Sequence, residues 1–359
     1  MPTVPFSKYT DFRSDLIGST KEYFTRTGIK RRDNIWMHSK AILFFSWYVV
    51  SWTVLSLYPV NAFHVLAAST SLWAVALFGL GFGVQHDANH RATSRYYWVN
   101  RIYGFVGLDI IGKSSHEWDR SHNRDHHTNP NIPGLDGDIN YSRLVRLSEA
   151  IPLRWYHRYQ HIYAVGLYSL AHLSFFIVDY ARILKRVIAK EKAFDKRSEL
   201  VLFILGKAIY YTSLAIPIWL YSWTAVFVII AISMALSLSY QLVAQAAHVV
   251  DGVAHPGPMV MPEGQEAKLL HQLATTANFG ADNRFMTEIL GGLNMQAWHH
   301  GLVYVPHIFF YKLNPILKQV CKRWGKKFVE YPTFWAALCA HFRYLKAMGR
   351  PRVTGLVSG

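Results

Sequence analysis

Residues 41–60, "AILFFSWYVVSWTVLSLYPV", carry no charged side chain, and neither do residues 65–84, "VLAASTSLWAVALFGLGFGV". Runs of this kind restrict a chain more than any short motif does. A backbone taken out of water must satisfy its own hydrogen bonds, and a helix does so within one segment. A bilayer core needs about 20 helical residues at about 1.5 Å each. Apart from Lys207, residues 200–246 are apolar for long enough to cross twice, with a break near "PIWLYSW" at 217–223. These runs predict an all-α integral membrane protein with four transmembrane helices in two hairpins, at about 41–60, 65–84, 200–221 and 224–246. Residues 85–199 and 247–346 then form a helical cap on one face, residues 1–40 a lead-in and residues 347–359 a tail.

Charge sets the orientation. The chain is +16 overall, and of its 38 Lys and Arg eight lie in residues 1–40, seventeen in 85–199 and twelve in 247–359. The remaining one is Lys207, and the short connections near 61–64 and 221–224 have none. By the positive-inside rule both termini and the cap are cytosolic, which an even number of spans requires. The first run is preceded by a long basic segment and exceeds a signal peptide's apolar region of about 7–15 residues. No nucleic-acid-binding motif accompanies the basic residues, so their expected partners are anionic membrane lipids. Lys207 is expected to snorkel toward headgroups. The apolar but interrupted stretch 162–178 is expected to lie in the headgroup plane, and "HPGP" at 255–258 reads as a loop. Two cysteines, Cys321 and Cys339, offer neither a disulfide framework nor metal-site spacing.

The 18 histidines are clustered. "HDANH" sets His86 and His90 at i and i+4, on one helix face just past the second run. "HNRDHH" repeats that spacing with His122 and His126, and adds His127 about 100° further round an α-helix. "QAWHH" brings Gln296, His299 and His300, and His248 lies where the last run emerges. One such pair is weak evidence; three clusters on one side of a bilayer point to metal, since neutral imidazole is a common ligand. Eight histidines with a possible glutamine exceed what one ion takes, so two ions are implied. Imidazole suits Fe, Cu, Zn and Ni alike, and the donor type leaves the metal open.

Asp87, Asp125, Asp136 and Asp138 lie in or just after the boxes, where a carboxylate can fix an imidazole's tautomer. For Asp136 and Asp138 in "PGLDGDIN", turn chemistry is an equal alternative. His271 is a candidate supporting residue and His116 an intermediate case. "HEWDR" departs from the zinc-protease motif at Arg120. Trp298 is expected in the core, with shaping of an acyl pocket as its second reading. His38, His64, His157, His161, His172, His255, His307 and His341 lack the box spacing and are expected at surfaces or interfaces. The "TNPN" after the second box reads as a helix-ending turn.

Together "HDANH", "HNRDHH" and "QAWHH" resemble the three boxes of the membrane-bound fatty acid desaturase superfamily. Gln at the head of the third box, "GGLNMQAWHH" and "YPTFWAALCAHFRYLK" look like its acyl-lipid, front-end type, and the resemblance runs from about residue 40 to 346. It implies a cytosolic site with two iron ions held by His86, His90, His122, His126, His127, His248, His299 and His300, with Gln296 less certain. It also implies an acyl lipid or acyl thioester substrate, O2, and desaturation. No haem domain is fused here, so a separate electron donor, a ferredoxin or a b-type cytochrome, is expected. Where the family commonly continues "LFP" after the third box, this chain has "GLVYVP", which leaves the double-bond position open.

The chemistry agrees with the residues. No side-chain acid or base ionises an unactivated methylene C–H; its removal takes an oxidant of the kind two irons generate from O2 and two electrons. Imidazole also withstands such an oxidant better than a thiolate. A hydroxylase would use the same boxes. A cation transporter or a haem electron carrier would need ligands within the spans, where histidine is nearly lacking.

Overall fold

In the computed structural model, residues 11–57, 63–137, 144–172, 177–257 and 263–351 are described. Helix α1 (Phe12–Thr27) is capped by Asp11, whose carboxylate accepts the Ser14 N–H at 2.7 Å. Its apolar face, Phe12 and Leu16 foremost, is buried. Asp15, also buried, accepts from the Arg323 guanidinium at 2.9 Å and the Trp324 indole at 2.8 Å.

Three helices among the described residues are long and apolar enough to cross a membrane: Ile35–Leu57, Leu66–Asn89 and Arg197–His248. The first of them, α2 (Ile35–Leu57), begins earlier than the uncharged run because "IWMHSK" joins the same helix. Helix α3 (Phe63–Leu80) continues past its apolar run through a π-helical turn, Gly81–Gln85, into α4 (His86–Asn89). The side chain of Gln85 donates to the Gly81 carbonyl at 2.7 Å, an insertion into the ladder that accompanies the widened turn. The first box is thus carried on an extension of the second apolar helix. From there α5 (Tyr97–Gly107), α6 (Ser115–Trp118), a π-helical segment Asp119–His126, α7 (Gln160–Ser169) and α8 (Val178–Ile188) lead to α9 (Arg197–His248).

The 52 residues of α9 are interrupted at Ser222, whose φ of 55° and ψ of −140° belong to no helix. His172 touches both sides of the interruption: its backbone N–H donates to Ser237 Oγ at 2.8 Å, and its Nε2 lies 3.3 Å from the Tyr210 hydroxyl. Near the break, Val228 packs with Leu55 of α2 and Leu66 of α3, and the Tyr221 hydroxyl donates to the Leu55 carbonyl at 3.2 Å. Lys207 does not snorkel. It is buried and donates to the Gly112 carbonyl at 2.6 Å and to Asp179 at 3.0 Å. Burial of an ammonium is tolerable only with such partners. Part of the 162–178 stretch lies outside the described residues; within it, α7 buries Ala164 and Tyr168 in a cluster with Val249 and Leu345.

The last third comprises α10 (Gln265–Ala274), β1 (Ala277–Phe279), α11 (Arg284–Ile289), α12 (Gln296–Gly301), α13 (Phe310–Arg323), β2 (Val329–Tyr331) and α14 (Phe334–Met348). The two short strands pair in parallel, Asn278 opposite Glu330, a local departure from all-helical structure. Trp298, Phe310, Leu313 and Leu317 form a core with α1 and α10, so Trp298 is a packing residue.

Gly291 and Gly292 adopt φ of 58° and 77°, and fold the chain from α11 back toward α12. A Cβ on Gly291 would lie 2.0 Å from the Phe82 carbonyl oxygen, so the π-turn before the first box and the approach to the third meet here in backbone contact. Gly291→Ala combines positive φ with this overlap and is expected to destabilise the protein by about 3 kcal/mol or more. Thermal unfolding in detergent, compared with Gly134→Ala, whose added Cβ meets nothing within 4 Å, checks this.

Candidate metal centre

The second box lies on a widened helix. In the π-helical segment Asp119–His126 the ladder closes at i+5, and the His127 N–H donates to the His122 carbonyl at 2.8 Å. Residues four and five positions along then lie over the face of the first. An α-helix would have turned His127 onto a neighbouring face. The π-turn instead brings the rings of His126 and His127 to 5.1 and 4.7 Å from that of His122. Trp118 stacks on His122 at 4.2 Å and fixes its plane.

All eight box-associated histidines converge. The ligand nitrogens of His86, His90, His122 and His299 lie within 4.8 Å of one another, as do those of His126, His248 and His300. His127, His299 and His300 make a third such group, which joins the other two. His127 Nε2 is 3.0 Å from His299 Nε2 and 3.2 Å from His122 Nε2. His86, His126, His248, His299 and His300 are buried, and the other three half-buried. Gln296 opens the same short helix as His299, and its buried Oε1 has no hydrogen-bond partner among the described residues.

Hydrogen bonds fix which nitrogen three of the rings present. His126 Nδ1 lies 3.0 Å from both oxygens of buried Asp136, and His248 Nδ1 lies 3.3 Å from the Thr275 carbonyl. Both partners only accept, so both Nδ1 atoms carry the proton. Gln272 donates through Nε2 to the His127 carbonyl at 2.8 Å, which turns its Oε1 toward His300 Nδ1 at 2.6 Å. All three rings of this group therefore direct a lone pair inward through Nε2. Burial first, then the neighbouring imidazoles, hold His90, His122, His127, His299 and His300 well below the usual histidine pKa. These rings are neutral at pH 7, the ligating form. Neutral nitrogens facing one another in a buried space repel unless a cation or a proton lies between them. The residues present thus fit two adjoining metal ions, and no thiol or carboxylate belongs to these groups.

Other residues lie elsewhere than the sequence implied. Of the four aspartates, Asp136 orients a box histidine. Asp87 accepts instead from His307, at 2.7 Å from Nδ1 and 3.0 Å from the backbone N–H. Asp125 is exposed, and Asp138 lies outside the described residues. His307, expected at a surface or an interface, is fully buried, as are His157 and His341. On its far side His307 Nε2 meets buried Lys40 Nζ at 2.7 Å, and Lys40 also donates to the Glu288 carbonyl. A clamp from α2 through Lys40, His307 and Asp87 therefore braces the helix of the first box. His271 Nε2 donates to the Pro130 carbonyl at 3.0 Å rather than to a box histidine; its neighbour Gln272 has the supporting role. Nor is "TNPN" only a turn. Asn131, fully buried at φ 59°, donates through Nδ2 to the carbonyls of His248, Ala254 and Thr275 at 3.0–3.2 Å. No periodicity marks Asn131, Gln272 or Lys40, because each bonds at least one segment over a hundred residues away.

Comparison with known proteins agrees with this geometry. Residues 62–332 match the family model described as fatty acid desaturase. The chain is 32% identical over 354 residues to an sn-1 linoleoyl-lipid 6-desaturase of Arthrospira platensis, covering 96% of this chain and 94% of that one. A protein of the same name from Synechocystis sp. is 30% identical, with 97% and 98% covered. An acyl-lipid (8-3)-desaturase of Physcomitrium patens is 34% identical over 281 residues, 75% of this chain and 58% of that one. With the family model matched over most of its length and its histidine boxes gathered at one place, the chain belongs to the fatty acid desaturase family and is an oxidoreductase of the membrane.

Proposed function

We propose that this enzyme is an acyl-lipid desaturase of the front-end type, which inserts a cis double bond into the acyl chain of a membrane lipid, using O2 and two electrons. The observation that carries this reading is the convergence of eight histidines from three boxes and the end of α9 into adjoining groups. The relatives' names, linoleoyl-lipid and acyl-lipid desaturase, support a lipid-borne substrate. His86, His90, His122 and His299 would hold one iron and His126, His248 and His300 the other, with His127 between them and Gln296 at the margin. Two irons there would supply the activation of O2 that C–H removal requires.

The chain's own groups prepare the site. Asp136, Gln272 and the Thr275 carbonyl hold Nδ1 protons, so that Nε2 lone pairs point inward before any metal arrives. Trp118 and the buried packing around the boxes keep water away, which favours abstraction from the substrate over side reactions. Four spans in two hairpins, at about 41–60, 65–84, 200–221 and 224–246, would set the boxes at one membrane face. The break at Ser222 and the contact of Leu55, Leu66 and Val228 support that arrangement. The distribution of Lys and Arg makes that face cytosolic, with both termini, and a ferredoxin or b-type cytochrome would deliver the electrons there.

Three measurements test this reading. His126→Ala and His299→Ala are each expected to abolish iron loading and turnover while leaving membrane insertion intact; full iron content by elemental analysis of both variants would refute the ligand assignment. Asp136→Asn retains the ligands but weakens the hold on the His126 proton, and is expected to lower apparent metal affinity about 10–100-fold in a chelator competition. Expression in a host with simple fatty acids should give lipids lighter by two hydrogens in the mass spectrum, whereas products heavier by one oxygen would replace desaturation with hydroxylation.

A further inference from the structure

A polar cavity of about 180 Å³ lies behind the first box. Ala88 and Asn89, which separate the His86 and His90 rings in sequence, form one wall, and Ser115 and His116 ahead of the second box form another. The cavity and the metal centre therefore share helix α4. Three carboxylates at its rim are already taken. Glu199 pairs with Arg101 at 2.7 Å, Asp195 with Arg124 at 2.8 Å and with Arg120 at 3.0 Å, and Asp119 with Arg124 at 3.4 Å. Arg91 and Lys196 have no carboxylate partner among the described residues and flank the Tyr97 ring, at 5.7 and 5.5 Å from its centroid. His116 lines the same space. It is 7% exposed, and its Nε2 has no hydrogen-bond partner among the described residues.

Two further features bear on the occupant. Arg91 directly follows His90 and holds a φ of 57°, a conformation usually left to Gly or Asn at a helix end. A long cation is thus kept at a position whose backbone favours a small residue, and it turns toward Tyr97. The cavity also lies at the level where apolar surface begins. Lys196 immediately precedes α9, whose Val201 and Ile204 are exposed, and Tyr96, Tyr97 and Trp98 are exposed beside it. Exposed aromatics next to exposed aliphatics mark the headgroup layer of a membrane. An acyl chain is apolar along its length and offers only its head for polar recognition.

We propose that this cavity seats the phosphate of the substrate lipid's headgroup. Arg91 and Lys196 neutralise it, His116 Nε2–H donates to it, and the shared wall of α4 fixes the head at a set distance from the histidine groups. The assignment rests on the acyl-lipid reading above and names the handle by which that substrate is held.

The test is native mass spectrometry of the full chain in neutral detergent, titrated with phosphatidylglycerol, with diacylglycerol of the same chains, and with inorganic phosphate as competitor. Phosphatidylglycerol is expected to bind at least about tenfold more tightly than diacylglycerol, and R91Q/K196Q to erase that preference. H116N should reduce it, and the remote pair K326Q/K327Q should leave it intact. Equal affinity for the two lipids, or an equal loss in K326Q/K327Q, would overturn the proposal. So would phosphate that binds well by itself and displaces the lipid, which gives the site to a free anion. A preference that survives R91Q/K196Q while reduction by a ferredoxin slows would give this face to a protein partner instead. Binding needs neither iron nor turnover, so a chain that keeps the preference but makes no double bond counts against the desaturase reading alone.

Discussion

Eight imidazoles drawn into one space are the interaction on which the remaining architecture depends. Each ring has lost water, and their inward nitrogens face lone pair to lone pair. Such a cluster persists only if the scaffold holds it rigidly and a cation neutralises the repulsion. Much of the protein is organised to meet the first condition. Asp136, Gln272 and the Thr275 carbonyl hold outer nitrogens, Asn131 gathers three carbonyls around His248, and the Lys40–His307–Asp87 clamp braces the helix of the first box. The Asn131 bonds and the clamp join segments over a hundred residues apart in sequence, so the site and the tertiary fold form together.

The long apolar helices give this cluster its frame. Box one rides on an extension of α3, and His248 ends α9, so three of the histidines are fixed to the ends of apolar helices rather than to loops. Donors on helix ends are placed more precisely than donors on loops. The other boxes lie on short helices packed against them, and a π-turn occurs before box one and within box two. Each widened turn re-aims side chains that a regular α-helix would have splayed. The close backbone approach at Gly291 then brings the third box against the first.

Much of the site was legible in the sequence. Spacings of four and five between histidines survive as spatial neighbours because they are local, and the apolar runs survive as helices because a buried backbone has few alternatives. The polar partners were less legible. His307 and His341 read in sequence only as surface or interface residues and are fully buried. Lys207 sits in an apolar run where snorkelling is the simple expectation, yet it pairs with Asp179 inside the protein. A hydrogen bond to a distant carbonyl leaves no pattern in the residues around it.

The sequence by itself determined the long helices, the asymmetry of charge, and the three histidine boxes, since each follows from local composition or short spacing. Only the tertiary structure decided which imidazoles share a group, which nitrogen three of the rings present, and that Asp136 and Gln272 rather than Asp87 and His271 support them. Those outcomes depend on which distant backbone carbonyls and carboxylates arrive beside each ring, and that is settled by packing rather than by order along the chain.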